Sequence, residues 1–164
     1  MNQDKHQILS HYDKSIAFVG SLANVTEGQW RTPIELGKWT VAEVIGHLTP
    51  WDKFVLNLRI PFLFTEESLP KGPDAEEMNA SAARESREQS KEETIAHFKK
   101  YRKLLMDALN QIEDQQWQQP FKIGTSELTL HRYFAGLVEH DLHHFSQIQN
   151  VLEISGDRRE KSCL

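Results

Sequence analysis

The chain has 164 residues, of which 38% are hydrophobic and 26% are charged. This length and composition predict one globular domain, residues 1–164, with enough apolar residues to build a core. Lys and Arg number 19 against 24 Asp and Glu, a net charge of −5 at pH 7, and basic runs are absent, so DNA and RNA are not expected as partners.

The N-terminus, MNQDKHQILSHYDKS, has no apolar stretch behind a basic start, so we expect no signal peptide. No apolar run approaches the ~18 residues of a membrane span, because the best candidate, Phe54 to Phe64, is broken by Asn57, Arg59 and Pro61. The single cysteine, Cys163, is penultimate, and we interpret it as an incidental thiol. These features predict a cytoplasmic protein with no membrane partner.

The first predicted helix runs from about Lys5 to Ala23, where apolar residues recur at steps of three and four. The segment from Asn24 to Lys38 contains Gly28, Pro33 and Gly37, which are typical of turns. We therefore expect one amphipathic helix followed by an irregular connection.

A second helix has the clearest start signal. Thr40 followed by Glu43 forms a capping box, in which each side chain satisfies a backbone N–H of the other residue. The apolar pattern continues through His47 toward Leu58. Pro50 lies inside this helix and removes one backbone hydrogen bond, so we expect a kink just after His47.

A long polar crossover is predicted from about Pro61 to Ser90, with room for a short helix from Ala75 to Glu88. Ser90 and Glu93 form another capping box, which opens a third helix that ends near Ile112. A connection of this length can join two parallel helices of a bundle.

The last part of the chain begins with a Gln-rich connector, Gln111 to Pro120, and a segment from Phe121 to Leu128 that could be extended or turn. Thr129 can then cap a fourth helix from Leu130 to about Ile154, with Gly156 as its C-terminal stop. Four helices and one long crossover between the second and third predict an all-α four-helix bundle.

Three histidines form the candidate metal site. His140 and His144 are four residues apart, which places both imidazoles on one face of the fourth helix. His47 lies among apolar residues on the second helix and is expected to point inward. A neutral imidazole binds metal, and three such ligands leave positions open for water or substrate. Hydrogen bonding of these histidines to Glu43, Asp141 or backbone carbonyls is the structural alternative.

Other polar residues near these positions have open roles. Glu43 could orient His47 or act as a general base, although the capping box already explains it. Gln147 is one turn after His144, and Trp51 is one turn after His47, where it could line a substrate pocket or belong to the core. Asp141 and Glu139 are expected in supporting or surface roles. The remaining histidines are left out of the ligand set: His6, His11, His97, His131 and His143.

The sequence resembles the DinB-like superfamily, which includes YfiT-like metal-dependent hydrolases and thiol-dependent transferases. The resemblance rests on Trp39-Thr40-x-x-Glu43-x-x-x-His47-Leu48, on Asn79 in the crossover, and on Glu139-His140-Asp141-Leu142-His143-His144-x-x-Gln147-Ile148. It extends from the first helix to about Leu152. It implies a four-helix bundle with an up-down-down-up course, often as a homodimer, and a divalent metal held by three histidines that correspond to His47, His140 and His144.

The resulting functional hypothesis is a metal-dependent enzyme. The divalent ion would acidify a bound water or thiol, which makes the chain a hydrolase or a transferase of low-molecular-weight thiols such as bacillithiol. Zinc or nickel is expected first, and manganese or iron would also accept nitrogen ligands. The alternatives are a non-catalytic, dimeric metal-binding or stress-response bundle, and a bundle in which the histidines are only structural.

Overall fold

The computed structural model describes residues 2–65 and 67–162. Its helices are α1 (Gln3–Ser21), α2 (Glu27–Trp30), α3 (Val41–Leu58), α4 (Ala75–Glu88), α5 (Lys91–Gln111) and α6 (Leu130–Ser162). Strands β1 (Phe121–Ile123) and β2 (Ser126–Leu128) form an antiparallel hairpin, and short 3₁₀ turns span Leu22–Asn24, Ile60–Phe62 and Asp114–Gln118. None of the helices described here is both long enough and apolar enough to cross a membrane.

The long helices α1, α3, α5 and α6 form the predicted four-helix bundle. Two core clusters mark its ends. One cluster joins the end of α1 and α6 to the start of α3 and α5, through Val19, Ile148, Ile45 and Ile95. The other joins the start of α1 and α6 to the end of α3 and α5, through Ile8, Phe134, Val55 and Leu109. The helices therefore run up, down, down and up, as expected.

The predicted crossover joins the two parallel helices α3 and α5, and it carries the short helix α4. Gly46 of α3 permits the close packing of α4, because a Cβ built on Gly46 would lie 1.7 Å from the Ser86 Oγ. The Trp51 indole N–H donates to the Asn79 side-chain oxygen at 2.8 Å. This bond attaches the N-terminal half of α4 to α3, whereas Ser86 lies near the C-terminal end of α4. The crossover is therefore a packed layer over α3.

The predicted N-terminal caps are present, but of the predicted Ser90–Glu93 capping box only the bond to the Ser90 hydroxyl is formed. Thr40 and Glu43 form the reciprocal capping box of α3. The Ser90 hydroxyl accepts a hydrogen bond from the Glu93 N–H at 3.1 Å, and the Thr129 hydroxyl accepts one from the Arg132 N–H at 3.4 Å. α3 continues through Pro50 to Leu58, and the kink expected there stays a prediction.

Two helix assignments differ from expectation. The segment predicted only to turn contains α2, because Thr26 and Gln29 form a capping box and the Trp30 side chain is buried. The fourth helix was predicted to stop at Gly156 but continues to Ser162. Glycine inside a helix costs only about 1 kcal/mol relative to alanine, and the charged residues that follow are good helix formers. Cys163 lies outside the described residues.

Candidate metal centre

His47 from α3 and His140 and His144 from α6 lie together, as the sequence predicted. One ligand nitrogen from each ring lies within 4.8 Å of the others. The His140 and His144 Nε2 atoms are 3.2 Å apart. The His47 ring centroid is 5.7 Å from that of His140 and 4.8 Å from that of His144. The inward position of His47 is confirmed, because its side chain is buried.

The spacing of these nitrogens suits a common metal ion. At metal–nitrogen distances of about 2.0–2.1 Å, two nitrogens on one ion are separated by roughly 3.0–3.4 Å. The 3.2 Å between the Nε2 atoms of His140 and His144 falls in this range. No other group of three His, Cys, Asp or Glu side chains in the described part of the chain converges in this way.

Hydrogen bonds orient two of the three rings. The His47 Nδ1–H donates to the Val44 carbonyl one turn earlier in α3. The His144 Nδ1–H donates to the Gln147 side-chain oxygen at 2.9 Å. With the proton on Nδ1, the Nε2 lone pair of each ring is available to a metal, which is the usual arrangement around metal-bound histidine.

Desolvation favours the neutral form of these imidazoles. It lowers the pKa of His47 from 6.5 to about 4, and the charged forms of His144 and His140 act in the same direction, against the hydrogen bond to Val44. Burial also lowers the pKa values of His140 and His144. Neutral imidazole is the form that binds metal, so the protonation state of the cluster suits this role.

The structure shows the contacts of three polar residues whose roles the sequence left open. Glu43 closes the capping box and accepts a hydrogen bond from the Arg87 guanidinium at 2.9 Å, so it belongs to the α3–α4 contact. His143 is exposed, with its ring centroid 5.4 Å from that of His144. Gln147 accepts a hydrogen bond from His144 and thereby fixes the orientation of this candidate ligand.

A buried polar network next to the site was missed by the sequence analysis. Arg102 of α5 donates to both oxygens of Asp52, at 2.8 and 3.1 Å, and to both oxygens of Asp141, at 2.6 and 3.3 Å. It also donates to the Ser15 hydroxyl at 3.1 Å. His11, which was left out of the ligand set, contacts the Asp141 carboxylate at 2.8 Å. The position of Arg102 between Phe98 and Leu105 on an apolar face was the available signal.

Asp141 connects this network to the candidate ligands. It directly follows His140, and its side chain is buried rather than at the surface. Burial raises the pKa of Asp141, but hydrogen bonds from His11 and Arg102 outweigh that effect and hold the pKa below its usual value. The ionised carboxylate therefore anchors α6 beside the histidines, which is the supporting role considered from the sequence.

A cavity of about 250 Å³ opens beside the histidine cluster. His140, Trp51, Arg59 and Tyr133 are among its lining residues. Trp51 therefore lies on a cavity wall, as one of the two readings of the sequence expected. His144 and Gln147 line a second, more open cleft together with Trp39, whose ring centroid is 4.9 Å from that of His47. His140 therefore borders the first space and His144 the second.

Comparison with known proteins agrees with the fold. YfiT from Bacillus subtilis, described as "a probable metal-dependent hydrolase with an unusual four-helix bundle topology", superposes with a TM-score of 0.77 at 21% identity. The match covers 95% of this chain and 90% of that chain. No curated protein matches the sequence. The sequence pattern of the DinB superfamily matches residues 14–148, which include all three histidines, and the chain therefore belongs to the DinB superfamily.

Proposed function

We propose that this chain is a metal-dependent enzyme that acts on a small molecule in the cavity beside His140. The observation that carries the proposal is the convergence of His47, His140 and His144, with two of the rings oriented through Nδ1. Membership of the DinB superfamily and the description of YfiT as a probable metal-dependent hydrolase support it.

His47, His140 and His144 would hold the ion. A divalent ion, when bound, lowers the pKa of a water or thiol ligand and thereby supplies a nucleophile near neutral pH. The protein's own contribution is positional. The Val44 carbonyl and the Gln147 amide hold two rings in place, and the apolar cavity walls restrict water around the substrate. Three protein ligands leave coordination positions open, which is typical of catalytic sites.

We expect zinc or nickel first, because the ligands are all imidazole and affinity for such sites generally rises from manganese and iron toward nickel. Manganese and iron are also compatible with nitrogen ligands. The intact protein's metal content, measured after growth in media supplemented with each metal in turn, would rank them.

Metal content per chain, measured by elemental mass spectrometry on untagged protein, tests the site. We expect nearly one ion per chain in the parent and a large loss in His47→Ala and in the paired His140→Ala, His144→Ala variant. His97→Ala is the matched control, because His97 is exposed and outside the cluster. No metal in the parent after reconstitution would refute the proposal.

The reaction class is tested by turnover of activated esters and electrophilic small molecules, with and without low-molecular-weight thiols such as bacillithiol. Turnover without thiol indicates a hydrolase, and strict thiol dependence indicates a transferase. Bound metal without turnover in either screen would favour the non-catalytic metal-binding bundle. The homodimer, the cytoplasmic location and the single domain stay predictions.

A further inference from the structure

The cavity beside His140 contains two arginines in different electrostatic situations. Arg102 is buried and paired with two carboxylates, Asp52 and Asp141, so its charge is fully compensated. Arg59, at the end of α3, also lines the cavity and is only 8% exposed. A guanidinium is always charged in proteins, and a buried charge normally has an ionic partner.

Arg59 has no such partner in the described part of the chain. Its Nη1 donates to the Pro70 carbonyl at 2.6 Å, and its guanidinium lies over the Phe54 ring, 4.8 Å from the centroid. Its Nε is buried without a hydrogen-bond acceptor. No carboxylate among residues 2–65 and 67–162 forms an ion pair with it. Among these residues, the Arg59 Nε–H therefore has no hydrogen-bond acceptor and the Arg59 charge has no ionic partner.

Arg102 provides an example of what the Nε–Nη2 edge of a guanidinium binds in this protein. Its Nε and Nη2, which form one edge of the planar group, each donate to one oxygen of the Asp52 carboxylate. Arg59 uses Nη1 for the Pro70 carbonyl, and its Nε, which belongs to the edge that Nε and Nη2 form, is buried without an acceptor. Such a fork matches the two oxygens of a carboxylate.

The surroundings of Arg59 also fit a carboxylate on an apolar body. Tyr133 lines the same cavity, and burial raises its pKa against both the charge of Arg59 and a hydrogen bond from Arg59. The Tyr133 hydroxyl therefore keeps its proton, which it can donate while its oxygen accepts from Arg59. The walls between Arg59 and His140 are largely apolar, and they include Trp51, Phe54, Val55 and Leu137. The cavity volume of about 250 Å³ has room for a small molecule.

We propose that Arg59 binds the carboxylate of a small carboxylic-acid substrate whose apolar part lies against Trp51 and whose reacting group faces His140. The proposal rests on the proposed enzymatic function and adds the substrate class. Arg59 is a binding residue in this arrangement, and Tyr133 supplies a second donor to the same carboxylate.

The test uses benzoate as the probe and benzamide as its neutral counterpart of similar shape. Isotope-labelled, metal-free protein is titrated with each, and the Arg59 Nε–H resonance is followed by NMR. Benzoate should shift this resonance and bind about tenfold or more tightly than benzamide, the difference expected for a charge-assisted hydrogen bond. Metal-free protein is used because carboxylates can also bind a metal ion directly.

Variants separate the charge from the shape of the side chain. Arg59→Gln should reduce the preference for benzoate over benzamide to about one, and Arg59→Lys should retain only part of it because the planar fork is lost. Arg84→Gln is the matched control, since Arg84 is exposed on α4, and should leave the preference unchanged. If Arg59→Gln does not fold, the wild-type resonance and Arg59→Lys still decide the result.

Three results would overturn the proposal: equal affinity for the two probes, benzoate binding that leaves the Arg59 resonance unmoved, or no benzoate binding at millimolar concentration. The metal measurement is independent of this titration. Stoichiometric metal without a carboxylate preference would reject the substrate class and keep the enzyme. A carboxylate preference dependent on Arg59 without metal would keep the binding site and reject the metal-dependent function.

Discussion

At the residue scale, the three histidines differ in how firmly they are held. The His47 Nδ1–H bonds to a backbone carbonyl of its own helix, which only a distortion of α3 could remove. The His144 Nδ1–H bonds to the Gln147 side chain, which a substitution can remove. His140 is exposed and lines the cavity. The candidate ligand set therefore combines a rigid inner imidazole with two more accessible ones.

Gln147→Leu should weaken metal binding by about 10–100-fold, the usual effect of removing a hydrogen-bond partner of a metal ligand. The His144 ring would lose the bond that fixes its orientation and keeps the proton on Nδ1. Competition with a chromophoric chelator measures the change. Gln149→Leu, an exposed glutamine on the same helix, is the control, and an equal loss there would contradict the assigned role of Gln147.

The stability of the metal-free protein should fall as the pH drops from 6.5 toward 4. The folded-state pKa of His47 is about 4, below its ordinary value of 6.5, so the unfolded chain takes up the proton first. This contribution is fully present above pH 6.5 and is lost on acidification. Urea unfolding at stepped pH measures it.

His47→Gln should reduce that pH dependence, whereas His97→Gln should preserve it, because His97 is exposed. His140 and His144, whose pKa values are also lowered, keep part of the effect in both variants. An NMR titration that gives His47 an ordinary pKa would show that burial does not control its protonation.

Residue types and spacing were enough to pair His140 with His144, because residues four apart lie on one face of a helix. That His47 lies beside them is a finding of the structure, and their role as metal ligands stays a prediction. They were not enough to identify the Arg102 network. Asp52, Arg102 and Asp141 come from three helices, and their pairing depends on how those helices dock. A charged residue on an apolar stripe indicates burial, but it does not name its partner.

At the element scale, the packing of α4 on α3 depends on one glycine. A Cβ at Gly46 would lie 1.7 Å from the Ser86 Oγ and 2.9 Å from the Ser86 Cβ, so the two helices could not keep their separation. His47 is the next residue in α3. A change in the spacing between α3 and α4 would therefore also move His47, the buried candidate ligand.

Gly46→Ala should destabilise the fold by about 1–3 kcal/mol, the usual cost of overpacking. Adding Ser86→Gly should recover part of this loss, because the clash is with the Ser86 side chain. Gly136→Ala is the control, since nothing lies within 4 Å of a Cβ there, and it should stabilise α6 by about 0.5–1 kcal/mol. Chemical denaturation measures all three changes, and equal effects at both glycines would contradict the packing argument.

The starts of α3, α5 and α6 were predictable, whereas the end of α6 was not. Each of these helices begins at a hydroxyl group that accepts a hydrogen bond from a backbone N–H three residues later, at Thr40, Ser90 and Thr129. Because this interaction is local, the sequence alone reveals the cap. Gly156 gave the opposite result, because a glycine permits a helix to end without requiring it to do so. The short helix α2 was missed for a similar reason, since turn-forming residues surround its capping box.

At the scale of the whole molecule, the Arg102 network connects all four long helices. Arg102 belongs to α5, Asp52 to α3 and Asp141 to α6, and Ser15 and His11 belong to α1. The network lies between the two core clusters and borders the cavity. It fixes how the helices that carry the histidines sit relative to each other.

Arg102→Met should destabilise the protein by about 3–5 kcal/mol, because it leaves buried carboxylates without their cation. The loss should be smaller when Asp52→Asn and Asp141→Asn are added, since no uncompensated charge then remains. Urea unfolding compares the variants. If the triple variant is no more stable than Arg102→Met alone, charge burial is not the source of the loss.

The bundle and its crossover were predictable because helix periodicity and the length of the polar connection constrain the topology. The up-down-down-up course followed from the family resemblance. The cavity could not be predicted, since Trp51 of α3 and Arg59, which follows that helix, meet Tyr133 and His140 of α6 only after the helices have packed.

The division of the three histidines between α3 and α6 has a consequence for folding. α3 lies before the crossover and α6 is the last helix, so no contiguous half of the chain contains the complete ligand set. A folding intermediate in which α3 has not yet docked presents only two imidazoles, which hold an ion far less firmly than three. Binding of a metal ion at the proposed site would therefore occur only in fully folded molecules and would distinguish them from partly folded ones.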